Sequence, residues 1–251
     1  PKTYNVLASF NGQKTVYLFQ EKITKEFIES NKLREAPILE GDERFLFGND
    51  LLHFDRFGLA RIKNSKWTRK GYTSLNISKT ALRGLNKAYL EYLHGTKMGG
   101  LENDRFLNPN AFFDEYSSDK VKGFPAILVA IGASHGLRPH NRSFYYDPIY
   151  NYLKPIYYDG NASVTEADSL LDEYMWFGLY LNQAEIIGAS YALESFKNFN
   201  HKSFHLRLEN LGLEYSEEEI RTIIEKVKTN LLAIKNYNEI DPSPQSTQAL
   251  F

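Results

Sequence analysis

Two hydrophobic periods alternate along this chain. One is the strict alternation of short β-rich runs; the other is apolar residues returning every three or four positions. The first period opens the sequence. In YNVLASFNGQKTVYLFQ, Asn11-Gly12 separates two β-rich runs, which predicts a tight hairpin. The following KITKEFIES predicts a helix capped by Thr24, running to about Leu33 and stopped by Pro37. Residues 36–63 mix short apolar runs with Gly and Asp, and read as loops with strands at Phe45–Phe47 and Leu59–Lys63. Within them, Glu40–Arg44 reads as a charged surface turn, and Lys63 as solvent-facing. The helical period then takes over from Ser78, with Leu82, Leu85, Ala88 and Tyr89 on one face, and fades near Gly95. A Gly- and Asn-rich connection spans Met98–Asn110.

The rest of the chain is predicted to be mostly helical. A helix over Asp119–Gly132 contains FPAILVAIGA, apolar on every side and therefore buried. A hairpin follows, with strands Ser143–Tyr146 and Leu153–Tyr158, and then helices over Thr165–Phe177 and Ala184–Phe196. Ser216 and Glu219 form a capping-box pattern ahead of Ile220, Ile224, Val227, Leu231 and Ile234 at helical spacing. These patterns define an α+β protein: a small sheet-rich part with one helix over residues 1–75, a larger helical part over 76–240 carrying the second hairpin, and a flexible tail over 241–251.

Composition narrows the function classes. Thirty basic against 31 acidic residues leave a net charge of −1, so no overall field draws the chain to nucleic acid or an anionic membrane. Without cysteine there is no disulfide, thiolate metal site or Cys nucleophile, and any metal must use oxygen or imidazole ligands. No apolar run approaches the roughly 20 residues that a membrane-spanning helix needs.

The chemistry concentrates in Ser134–Gly160, SHGLRPHNRSFYYDPIYNYLKPIYYDG. Asn141 stands in a turn, the aromatic hairpin follows, and Asp159-Gly160 closes it. His135, Arg138, His140 and Arg142 surround Asn141 with nitrogen-bearing side chains. The bland alternative is an ordinary hairpin flanked by turn formers, with the basic side chains bonded to the loop backbone. Asp147, in Tyr-Asp-Pro, reads as a turn cap.

This order, loop Asn, hairpin and Asp-Gly, is similar to the magnesium-binding residues of protein kinases. Together with Asn11, Gly12, Tyr17, Leu18, Glu21 and Phe27 of the first hairpin, it resembles the spore-coat CotH kinase-like family. The matching later positions are Asn141, Phe144-Tyr145-Tyr146, Asp147-Pro148 and Ile156-Tyr157-Tyr158-Asp159. The resemblance implies an atypical protein-kinase-like fold and transfer of the γ-phosphoryl group of ATP to a Ser, Thr or other hydroxyl, with a nucleotide and a protein acceptor as partners. It implies that Asn141 and Asp159 hold Mg2+, that Arg138 contacts the phosphoryl group, and that His135 orients or deprotonates the acceptor. Glu21 and Lys22 would line the nucleotide cleft; as residues alone they fit a solvated helix start equally well.

Two positions depart from the family pattern. The catalytic Asp that stands five residues before the loop Asn is replaced by Gly136, which leaves His135 as the nearest base and suggests that an Asp at 136 is tolerated. The family's nucleotide-contacting Lys and helix Glu before the first hairpin have no counterpart in the sequence, so that lobe is expected to be short or incomplete. Loss of the Asp also fits a non-catalytic, pseudokinase-like binding or scaffold module.

Overall fold

The Asn11-Gly12 turn closes the first hairpin as the sequence predicts. Strands β1 (Thr3–Phe10) and β2 (Gln13–Gln20) pair antiparallel, with Phe10 opposite Gln13, and both turn residues take positive φ, 50° and 81°. The structure is a computed structural model that describes residues 3–42, 58–97, 115–137, 141–164, 183–210 and 212–237. Helix α1 (Lys25–Ser30) follows Thr24, whose hydroxyl donates to the Glu26 carboxylate at 2.6 Å instead of capping the helix backbone. The helix stops at Ser30, short of Leu33. Lys32 turns left-handed at φ 55°, and Leu33 N–H reaches back to the Ile28 carbonyl at 3.0 Å.

A second, four-stranded antiparallel sheet has the order β4-β3-β5-β6, from β3 (Ile38–Asp42), β4 (Gly58–Ile62), β5 (Ser143–Asp147) and β6 (Tyr152–Ile156). The β5–β6 hairpin is the predicted one; β3 takes the place of a predicted loop. Ile38 and Leu39 are both fully buried, one on each face, so this inner strand lacks the polar alternation that would mark it. A register shift between Glu40 and Asp42 hides it further. The sheet draws strands from both sides of residue 75, joining the two parts the sequence separates.

Each face of this sheet has its own cover. Leu39, Ala60, Phe144, Tyr146 and Leu153 face Ala81, Leu85, Ala88 and Tyr89 of the long helix α3 (Tyr72–Lys97). That helix begins before Ser78, whose buried hydroxyl lies 3.1 Å from that of Thr68 in the short helix α2 (Ser65–Thr68) and so serves packing, not capping. On the other face, Ile38, Tyr145 and Ile156 pack with Ile23, Phe27 and Ile28 around α1. β5 is therefore buried along its whole length.

Helices α4 (Glu115–Ala130), α5 (Gln183–Phe196) and α7 (Glu217–Lys235) build a separate apolar cluster from Ala126, Leu128, Val129, Ala189, Ala192, Val227 and Leu231. Small residues let α4 and α5 approach closely: a Cβ at Gly123 would sit 3.7 Å from the Gly188 carbonyl oxygen. The predicted capping box is complete, with Ser216 Oγ accepting from Glu219 N–H at 3.2 Å and the Glu219 carboxylate accepting from Ser216 N–H at 2.8 Å. Helix α6 (His201–Asn210) was not predicted. None of its residues is fully buried, so it shows no strong apolar stripe, although Asn200 caps it by accepting from Ser203 N–H at 2.9 Å. The predicted elements at Phe45–Phe47, Met98–Asn110 and Thr165–Phe177, and the tail 241–251, lie outside the described residues.

Leu231 is fully buried at the centre of the helical cluster. Leu231→Ala is expected to cost about 2–5 kcal/mol through lost transfer energy and a residual cavity. Urea unfolding of the two proteins side by side measures it, as a lower midpoint with an unchanged slope.

Candidate functional site

The end of α4 sets the position of the loop that carries His135. Gly132 adopts φ 67°, and the hydrogen bonds Ala133 N–H to Leu128 O (2.7 Å) and Gly132 N–H to Val129 O (3.0 Å) close the helix. One 3₁₀ turn, Ser134–Leu137, follows. Leu137 is buried in the helical cluster, which anchors the turn from below and leaves the His135 side chain about 40% exposed. From the other side, Asn141 and Arg142 enter β5 already buried. The Arg142 guanidinium lies 5.1 Å over the Phe144 ring, and its carbonyl accepts from Gly41 N–H at 3.1 Å. Arg142 is thus part of the sheet packing.

His135 ties the two predicted metal-binding residues together. Its backbone carbonyl accepts from Asn141 Nδ2 at 3.1 Å, and its ring Nε2 lies 3.3 Å from Asp159 Oδ2. Asp159 stands in a turn where it and Asn161 take φ 46° and 51°, a conformation Asp and Asn tolerate better than other side chains do. The Tyr157 ring fixes this turn by lying over Gly160, its hydroxyl 2.6 Å from where a Cβ at residue 160 would be. Burial pushes the Tyr157 phenol pKa up, although bonds to the Ala162 and Gly160 backbone counter part of that rise.

Gly136 has a packing reason of its own. A Cβ there would lie 3.1 Å from the Tyr158 carbonyl oxygen and 3.2 Å from Gly160 Cα, both backbone atoms. An Asp at this position would push the Asp159 turn away, so the expectation that it is tolerated meets a steric objection. Arg138 and His140 lie outside the described residues. Glu21 and Lys22 are placed by α1: the Glu21 carboxylate accepts from Ser30 Oγ at 3.5 Å, and Lys22 is exposed.

Lys63 and Glu40 need correction. Lys63 is not solvent-facing, and Glu40 does not belong to a surface turn. Glu40, on β3, is only 13% exposed in its side chain and binds Arg61 Nη2 at 2.9 Å together with Lys63 Nζ. The Lys63 ammonium also sits 5.2 Å over the ring of Tyr158, next to Asp159. The Asn64 side chain holds this strand end in place, accepting from Ile38 N–H at 2.8 Å and donating to the Ala36 carbonyl at 2.8 Å. The sequence signal was present in LARIK, where Arg61 and Lys63 share one strand face; their partner was hidden with β3. Asp147, as predicted, caps its turn, accepting from Ile149 N–H at 3.1 Å and Tyr150 N–H at 3.3 Å.

As a donor set, Asn141 and Asp159 suit a hard divalent cation that keeps most of its shell from water and phosphates. Among the described residues no three His, Cys, Asp or Glu side chains are grouped to hold a metal ion by themselves. No helix among them is long and apolar enough to cross a membrane. Comparison of the chain with protein-family models, with curated proteins and with solved structures found no match.

Burial pushes the Asp147 carboxyl pKa up, but the Lys154 ammonium 2.9 Å away and the two turn N–H groups outweigh this and hold it below the ordinary value. A depressed folded-state pKa contributes stability above the unfolded value and loses it as pH falls through the folded one. Asp147→Asn is therefore expected to cost about 1.5–3 kcal/mol at neutral pH. The difference from the parent should shrink below the ordinary Asp range, and denaturation midpoints measured across acid pH follow it.

Proposed function

We propose that this chain is an atypical, CotH kinase-like phosphotransferase that moves the γ-phosphoryl group of ATP to a hydroxyl, such as a protein Ser or Thr, in the presence of Mg2+. The observation that carries this reading is the single group His135–Asn141–Asp159, in which one residue touches both candidate metal ligands by different atoms. Asn141, through its amide oxygen, and Asp159, through its carboxylate, would hold the ion. When bound, Mg2+ offsets charge on the phosphate oxygens.

The remaining roles fall to the chain's own residues. A hydrogen on His135 Nε2, directed at Asp159, leaves Nδ1 as the nitrogen that can accept a proton. An acceptor hydroxyl held there attacks the γ-phosphorus, its proton passes to Nδ1, and the β–γ bridging oxygen leaves with ADP. Arg138 stands three residues after His135 in sequence, and guanidinium chemistry suits the transferring group. Lys63, held by Glu40 beside Tyr158, is a cation near the Asp159 turn that the sequence pattern alone had set aside.

A second reading, a non-catalytic pseudokinase-like module, is favoured by one observation: a side chain at position 136, where kinases place the carboxylate, would meet backbone at 3.1 and 3.2 Å and could enter only if the Asp159 turn moved by a few tenths of an ångström. The two readings share nucleotide binding and part at turnover.

Two experiments test the proposal. Calorimetry with ATP, with and without Mg2+, should show binding that needs the ion in the parent protein and a metal-dependent part that disappears in Asp159→Ala. Metal-dependent binding that survives this change overturns the assignment. His135→Ala keeps the carbonyl to which Asn141 donates, so it isolates the ring. It is expected to lower phosphoryl transfer by about a hundredfold while ATP affinity stays nearly constant. ATP binding without transfer to any acceptor by the parent protein would establish the module reading instead.

A further inference from the structure

A hollow of about 270 Å3 opens between α1 and β6, away from the atoms assigned to phosphoryl transfer. Its floor is apolar and aromatic, formed by the buried Phe27, Tyr145 and Ile156, with Leu33 on the rim. The hollow is open to solvent, and its size is that of a ring with a polar substituent lying partly in water. Aromatic walls of this kind favour a flat occupant over a flexible chain.

The sign of that substituent follows from Lys154, the charged residue lining the hollow. Its ammonium lies 5.8 Å over the Tyr145 ring and 5.2 Å over that of Tyr152. It has three donors, of which Asp147 takes one at 2.9 Å and the Tyr152 phenol another. The other Asp147 oxygen is taken up by two backbone N–H groups. One N–H remains for an anion.

We propose that this hollow binds a small aromatic carboxylate, its ring on the Phe27–Tyr145 floor and its carboxylate on Lys154, and that occupancy steadies the Asp159 turn through Tyr157. Tyr157 forms one wall of the hollow while its ring covers Gly160, so an occupant that packs against it restricts the turn on its far side. The site does not depend on the phosphotransferase reading, and its test uses no nucleotide.

The probe is 2-naphthoate, with 2-naphthamide as its neutral counterpart, titrated into the 15N-labelled full chain. Saturable amide shifts are expected at Phe27, Leu33 and Lys154, and at Gly160 on the far side of Tyr157. The amide should bind about tenfold more weakly, since it lacks the charge-assisted bond. Leu33→Trp, which fills the hollow from its rim, should abolish the shifts while the protein still unfolds in a single cooperative transition, even if at a somewhat lower midpoint because Leu33 also packs on the α1-side cluster. Lys154→Met should equalise acid and amide; because Lys154 also neutralises Asp147, Lys154→Arg, which keeps the charge and should keep the acid preference, stands in if the Met variant does not fold. Absence of saturable shifts, equal affinity for acid and amide in the parent, or unaltered binding in Leu33→Trp overturns the site. Shifts in the hollow without any at Gly160 overturn the coupling.

Discussion

The close approach of two stretches of backbone at Gly136 is the constraint on which the candidate site depends. One stretch is the 3₁₀ turn rooted in the helical cluster through Leu137; the other is the Tyr158–Gly160 segment leaving the four-stranded sheet. A side chain at this position would press them apart by a few tenths of an ångström. Their contact puts His135 beside Asp159 and within reach of Asn141, so the geometry of three polar side chains is set by a position that carries none. The Ser163 N–H bond to the Ile131 carbonyl, at 3.0 Å, fastens the same two stretches a little further along.

The sheet adds rigidity to one side of this junction. β5 is covered by α3 on one face and by the α1 region on the other, and the chain enters it through the buried Asn141 and Arg142. A loop residue fixed this way loses little further freedom when it binds a ligand. At the same end of the sheet, where Glu40 pairs with Ser143, Glu40 holds two cations in a largely covered place. Removing one partner of such a group leaves charge uncompensated away from water, which is why strand ends of this type are held by several contacts at once.

What could be read from the sequence followed how far each signal is local. The Asn11-Gly12 hairpin, the β5–β6 hairpin and the Ser216–Glu219 cap each depend on residues within a few positions, and all three were legible. β3 was not, because its pairing partners lie about twenty and a hundred residues away and its buried residues alternate between two covered faces. Losing β3 also lost Glu40, and with it the environment of Lys63. At the site, residue types and order identified His135, Asn141 and Asp159 as candidates. Their meeting through His135, and the steric reason for Gly136, come from contacts between elements that no local pattern encodes.

The first hairpin stands in contrast to this interlocked region. β1 and β2 pair with each other and with no other described strand, and Val6, Leu7 and Val16 along them remain exposed. A two-stranded ribbon by itself has marginal stability. It therefore forms a separate cooperative unit: its amide protons exchange with solvent through local opening at low free energy, while those of β5 wait for the whole molecule to unfold.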